Sequence, residues 1–293
     1  MSQRLKAMLP WWGRIPAKVL LASLPIGTKH LKKLGLFNHG DMDSMEYAAK
    51  VFDLHMDACR RATGTTPAEG FVAMELGPGD SLLSAVLAWG AGASRTYMVD
   101  VGDFAQRDLD LYVDMARRVN EASARKIPLE KVHSGDEVVR ACAGEYETDG
   151  LESLRKMPPG CVDFCWSHAV LHAIRRAEFL ETMREVWRVM RRGGICSHDV
   201  DLRDMLGGSL NHLRFSQEAW EWDVAARAGF YANRMRYSEM LEAFRKCGFE
   251  VLLAEPQRWE RLPVERRKMF RCFQDLPQEE LLTWGFHVVL RAA

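Results

Sequence analysis

Two stretches of this chain crowd together groups that can hold or move a proton. In SHAVLHAI, residues 167–174, Ser167, His168 and His172 follow an apolar run. In SHDVDLRDMLGGSLNHLRFS, residues 197–216, the side chains His198, Asp199, Asp201, Arg203, Asp204, Asn211, His212 and Arg214 fall within seventeen residues. An imidazole titrates near neutrality, so His168, His172 and His198 are candidate general bases. His198 with Asp201 reads as a base and its orienter, or as two hydrogen bonders to a substrate. A solvated charged loop is the plain alternative for the second stretch, and a helix start is the plain alternative for His172. His and Asp also bind divalent cations, but no known ligand spacing is present and no metal is expected.

Such groups need strand ends to carry them. MPPGCVDFCW, 157–166, is a proline-glycine turn followed by a buried strand, so residues 167–174 leave that strand's C-terminal end. Gly193-Gly194 reads as the close of a helix over about 177–191, and ICSHDV as the next strand. Loops leaving the carboxyl ends of strands are where open α/β sheets bind ligands. Upstream, FVAMELGPGD, 71–80, reads as a strand ending in Glu75, a glycine turn, and a helix from near Ser81. Glycines here let backbone N–H groups approach a ligand, and the helix start adds partial positive charge. The strict G-x-G-x-x-G spacing fails, because position 82 is Leu. SRTYMVD, 94–100, supplies a second strand ending in Asp100, at the spacing of a strand–helix–strand unit. A carboxylate there can accept two ribose hydroxyls; its alternative is a helix cap.

Further helices are expected over about 105–123, 136–142, 217–229 and 238–246, and a strand or turn from Tyr146. GFEVLLAEPQ and GFHVVLRA read as antiparallel partners at the sheet edge, with helices expected at 264–273 and 278–284 between them. The seven cysteines are odd in number, scattered, and without a C-x-x-C, so reduced thiols in the cytoplasm are expected, with Cys161 and Cys165 as small core residues. Net charge is zero across 293 residues, which speaks against nucleic-acid binding. The first 40 residues hold seven Lys/Arg and no acid. With Trp11, Trp12 and proline-broken segments, they read as part of a helical cap over residues 1–66, with a membrane-surface helix as the rival. His39, Tyr47 and His55 lie near an apolar helical stripe and could together line a lid. Residues 67–293 form the main domain, with cap insertions at about 200–236 and 256–284; the latter also suits a homodimer contact.

The succession ELGPGD, YMVD, TDGLESL, PPGCVDFCWSHAVLHAI and VWRVMRRGGICSHDV resembles the class I S-adenosylmethionine-dependent methyltransferases over about residues 70–200, plus the two terminal strands. Flanking stretches resemble a bacterial branch linked to polysaccharide or secondary-metabolite pathways. The resemblance implies an α/β, Rossmann-like seven-stranded, mostly parallel sheet with one antiparallel edge strand, and S-adenosyl-L-methionine as cofactor. It implies that Glu75 steers the methionine amino end, and that Gly77 and Gly79 let the backbone approach. Asp100 would hold the ribose, with Val101 beside it. Asp149 would accept from the adenine amine, with Gly150 and Leu151 against the ring. Ser167 and His168 would adjoin the methionine part. Many members read S-x-A-V-L-E-H where this chain has Ser167-His168-Ala169-Val170-Leu171-His172-Ala173, so substrate chemistry does not carry over from that position. Tyr47, Arg203, Asn211, Tyr231, Asn233 and Arg234 are candidates to contact the substrate. The expected activity is methyl transfer to O or N of a small molecule, sugar or glycan. The rival enzyme reading is cyclisation or cleavage of the cofactor's aminobutyryl arm, releasing methylthioadenosine, as in azetidine-carboxylate-forming relatives. A cofactor-binding subunit without turnover is the non-enzyme alternative.

Overall fold

Short apolar runs alternate with amphipathic segments along most of the chain, and this alternation folds as a sheet between helical layers. The computed structural model describes residues 10–23, 42–223 and 229–293. The elements are α1 (Trp11–Ser23), α2 (Met45–Thr63), β1 (Val72–Leu76), α3 (Leu83–Gly90), β2 (Arg95–Val99), α4 (Leu109–Ala122), α5 (Gly135–Ala141) and β3 (Gly144–Glu147). They continue with α6 (Leu151–Lys156), β4 (Val162–His168), α7 (Arg176–Val189), β5 (Met190–Asp201), α8 (Gln217–Trp220) and α9 (Tyr237–Lys246). The last are β6 (Phe249–Arg258), α10 (Arg271–Gln274), α11 (Gln278–Leu282) and β7 (Thr283–Ala292).

The seven strands lie in the order β3-β2-β1-β4-β5-β7-β6. The pairings from β3 across to β5 are parallel. β7 runs antiparallel to both its neighbours. The single antiparallel strand thus lies one place inside the edge, and β6 is the edge strand. Strand alternation divides the core into two faces. On one, Phe52 and Cys59 of α2 and Ala88 of α3 pack on Ala73, Phe164 and Trp166. On the other, Phe179, Met183 and Val186 of α7 and Met240 and Phe244 of α9 pack on Cys165, Cys196, Val288 and Leu290.

Ser44 caps α2 by accepting the Tyr47 N–H, and Gly64 ends it at φ +83°. α3 starts at Leu83, two residues after the expected start; the Ser81 hydroxyl donates to the Met42 carbonyl and the Leu82 N–H to the Tyr112 hydroxyl. Gly193 and Gly194 do not close a helix. β5 begins at Met190, and its register against β4 jumps from Val162↔Met190 to Phe164↔Ile195. The residues between form a bulge, and a Cβ on Gly194 would stand 2.8 Å from the Arg191 carbonyl oxygen. β6 runs on to Arg258 and β7 begins at Thr283, and between them the 256–284 insertion holds only short pieces, α10, α11 and a 3-10 turn at Arg266–Lys268. Of the helix expected over 217–229, α8 covers the start; residues 224–228, His39, Lys29, Lys32 and Lys33 lie outside the described residues. In α1, Trp11, Ile15 and Val19 pack against Leu206, Trp220, Phe230 and Tyr231. All seven cysteines are free, with Cys165 buried and Cys161 partly so. Among the described residues no helix is long and apolar enough to cross a membrane.

Candidate functional site

The C-terminal ends of β1, β2 and β3 meet at one carboxylate. Asp100 Oδ2 accepts the Gly79 N–H at 3.2 Å and Oδ1 accepts the Val101 N–H at 2.7 Å. The Asp100 carbonyl accepts the Gly150 N–H at 2.8 Å. Gly77 sits at φ +67° and Gly79 at φ +69°, conformations that favour glycine. A Cβ on Gly77 would lie 2.5 Å from Val170 Cγ2, so the turn is also sterically closed to side chains. Val101 is 79% exposed, an aliphatic side chain with an open face directly after the carboxylate. Beside it a cavity of about 800 Å³ is lined by residues including Val101, Asp149, Gly150 and Leu151. The exposed Asp149 carboxylate pairs with Lys156 Nζ at 3.0 Å.

Glu75 is buried one step below the turn. Its Oε1 accepts the Trp166 indole N–H at 3.0 Å; Oε2 makes no hydrogen bond of normal length, and the nearby Ser84 hydroxyl favours the ionised form. Burial pushes its carboxyl up to about 7. A buried carboxylate oxygen without a donor is costly, and a ligand cation would satisfy it.

A second polar group occupies the α2 face of β4, β5 and β7. The Tyr47 hydroxyl on α2 lies 3.2 Å from His168 Nε2 at the end of β4. His168 Nδ1 is 3.5 Å from Asp199 Oδ2 on β5, and His287 Nδ1 on β7 is 3.6 Å from Asp199 Oδ1. Behind them Ser197 Oγ stands 2.9 Å from both His287 Nε2 and His55 Nδ1. His55, Ser197 and His287 are buried, whereas Tyr47, His168 and Asp199 are partly open. Burial lowers the His168 pKa, with Asp199 opposing the shift. His55 is lowered well below the usual range by burial and by the neighbouring imidazoles.

The remaining candidates fall elsewhere. His198 and Ser167 point to the α7–α9 side, where Ser167 Oγ lies 2.8 Å from His198 Nδ1 and the imidazole stacks on Phe244. Burial drops His198 to about 3. Three positions apart on one strand, His198 and Asp201 face opposite sides of the sheet, and the structure does not bring them together. Asp201 is instead gripped by Arg203, with Nε–Oδ1 at 2.9 Å and Nη2–Oδ2 at 2.8 Å, and the guanidinium lies over Trp284. Burial pushes Asp201 upward, but the Arg203 contacts outweigh it and hold the carboxyl below its usual range. His172 is buried, which lowers its pKa, and its carbonyl accepts the Asn233 N–H.

Four expected substrate contacts are engaged within the protein frame, with only Arg234 Nε among their buried side-chain donors and acceptors lacking a hydrogen bond. Asn233 donates to the Leu171 and Ile174 carbonyls at 2.9 and 3.0 Å, pinning the loop after β4. Arg234, at φ +60°, donates to the His212, Phe215 and Ser216 carbonyls and to Gln217 Oε1. Tyr231 Oη accepts the Arg176 N–H and donates to Glu221, and Asn211 donates to Asp204. Tyr47 alone of the expected substrate contacts joins the histidine group; Arg203 stands on the same face. Sequence reading gives His287 and Ser197 no role, counts Asp199 only within the polar stretch 197–216, and places His55 only in a lid. The parity of β4, β5 and β7 was the available signal, since it places His168, Asp199 and His287 on one face.

Residues 74–197 match a family model described as a methyltransferase domain. A search of curated proteins gives no match. Among solved structures, an S-adenosylmethionine-dependent methyltransferase from Mesorhizobium loti is 15% identical, covering 85% of this chain and all of that one, with a TM-score of 0.45. Geranyl diphosphate C-methyltransferase from Streptomyces coelicolor is 11% identical, covering 85% of this chain and 78% of that one, with a TM-score of 0.47. The domain match spans the Glu75–Gly79 turn, Asp100, Asp149–Leu151 and the β4–β5 mouth. The fold is the Rossmann-like methyltransferase fold.

Proposed function

We propose that this chain is an enzyme that transfers the methyl group of S-adenosyl-L-methionine to oxygen or nitrogen of a small molecule. The observation that carries this reading is the Asp100 knot, where one carboxylate holds both the Gly79 and Val101 amides beside the aliphatic face of Val101. Asp100 would accept the ribose hydroxyls and Val101 would lie on the adenine, with Asp149 reaching its amine. Glu75 supplies an orphan carboxylate oxygen for the methionine ammonium. Gly77 and Gly79 bring the backbone close. The cofactor supplies a methyl group on a positively charged sulfur; the chain's residues hold it, orient the acceptor and exclude water. The resemblance of the flanking stretches to a bacterial branch supports a sugar, glycan or secondary metabolite as acceptor.

The test is calorimetry with S-adenosylhomocysteine on wild type and Asp100→Ala. The expected result is one site per chain and an affinity loss of ten-fold or more in the variant. Equal affinity would remove the ribose assignment.

A further inference from the structure

Asp199 places a negative charge between two imidazoles. Asp199 is flanked by two imidazole Nδ1 atoms, at 3.5 Å from His168 and 3.6 Å from His287. Neither Nδ1 makes a hydrogen bond, but the negative charge of Asp199 favours hydrogen on the ring nitrogen that faces it. With hydrogen on that nitrogen, neutral His168 presents a lone pair at Nε2, within hydrogen-bond distance (3.2 Å) of the Tyr47 hydroxyl. Ser197 Oγ lies within hydrogen-bond distance of both His287 Nε2 and His55 Nδ1. Asp201, the other acid near His168, is occupied by Arg203. The closed end of the array is buried, and the open end is the pair Tyr47–His168 at the C-terminal edge of β4.

We propose that Tyr47 and His168 accept the proton of an acceptor hydroxyl, with Asp199 and His287 as positioning residues, so that the acceptor is an alcohol or phenol rather than an amine. This rests on the methyl-transfer reading above. A neutral amine attacks first and sheds its proton afterwards, whereas a hydroxyl must lose its proton as the O–C bond forms. The hydroxyl oxygen bonds to the methyl carbon, the C–S pair returns to sulfur, and the proton passes to His168 Nε2, directly or by relay through Tyr47. The imidazolium is balanced by Asp199 and its proton later leaves to water. Burial lowers the His168 pKa and keeps the ring neutral, and therefore basic, at pH 7.

The first readout is histidine ¹⁵N NMR on the cofactor-free protein. The expected His168 form is Nδ1–H, the minor tautomer of free histidine, with a pKa that falls in Asp199→Asn because a raising charge is lost. An Nε2–H His168, or a pKa unmoved in Asp199→Asn, overturns the array. The second readout uses methyl-deuterated S-adenosylmethionine with a mixture of simple alcohols, phenols and amines. Label on oxygen, reduced at least ten-fold in Tyr47→Phe and His168→Gln while S-adenosylhomocysteine still binds, supports the proposal. Label on nitrogen only, or on no hydroxyl compound, overturns it. Loss of S-adenosylhomocysteine binding by the wild type would instead sink the methyl-transfer reading itself.

Discussion

Glu75 is the residue whose electrostatics bear on both stability and binding. Its folded carboxyl holds a proton up to about 7, against an ordinary value of 4.5. Between those values the unfolded chain gains by ionising and the ligand-free fold does not. Glu75's contribution to stability is therefore fully present below pH 4.5 and is lost as pH rises through about 7, a change of roughly 3 kcal/mol. Denaturant unfolding across that range should show the fall, and Glu75→Gln should flatten it. A cation bound beside Glu75 reverses the preference, so binding of S-adenosylmethionine near pH 7 should release a proton. Calorimetry in buffers of different ionisation enthalpy measures this. No proton release, or equal release by Glu75→Gln, would place the ammonium elsewhere.

At the scale of elements, turns and buried clamps set the geometry. Gly77→Ala meets both a positive φ and a Cβ contact of 2.5 Å with Val170. It should cost about 1–3 kcal/mol and abolish cofactor binding. Adding Val170→Ala should recover part of the stability, because it relieves the contact but not the dihedral; full recovery would show that the dihedral costs nothing. Arg234 behaves as a clamp, and Arg234→Met leaves carbonyls in the 212–216 segment without their donor. A loss of about 2–4 kcal/mol is expected, with S-adenosylhomocysteine affinity nearly unchanged. A folded variant with normal stability and lost affinity would make Arg234 a ligand contact after all.

Much of this layer was legible in the sequence. FVAMEL, YMVD and VDFCW are apolar runs bounded by turn residues, and each is a strand; the order of the glycine turn, Asp100 and Asp149 was legible for the same reason. The histidine group was harder to see. His55, His168, Asp199 and His287 lie on four elements, and only the sheet order brings them together. Pairing His198 with Asp201 overlooked strand parity, which puts residues three apart on opposite faces. Asn233 and Arg234 looked like substrate contacts because they are polar and sit between helices. Their burial against main-chain carbonyls is a tertiary fact that no local pattern encodes.

In the molecule as a whole, the described part of the N-terminal segment and the stretch after β5 share a small apolar core beside the sheet. Trp11 meets Phe215 edge-on and lies under the Arg214 guanidinium, while Arg14 donates to the Leu206 carbonyl. Trp11→Ala should therefore speed hydrogen exchange in residues 206–223 several-fold and leave β1, β4 and β5 protected. Uniform loosening of the sheet would mean that this core is not a separate cooperative unit.

Incubation of the purified protein with S-adenosylmethionine alone, followed by mass spectrometry of the nucleosides, decides the chemistry first. The expected result is bound, unchanged S-adenosylmethionine, released intact on denaturation, as for a methyltransferase without its acceptor. Methylthioadenosine well above the spontaneous background would contradict methyl transfer and show that the chain cleaves or cyclises the aminobutyryl arm.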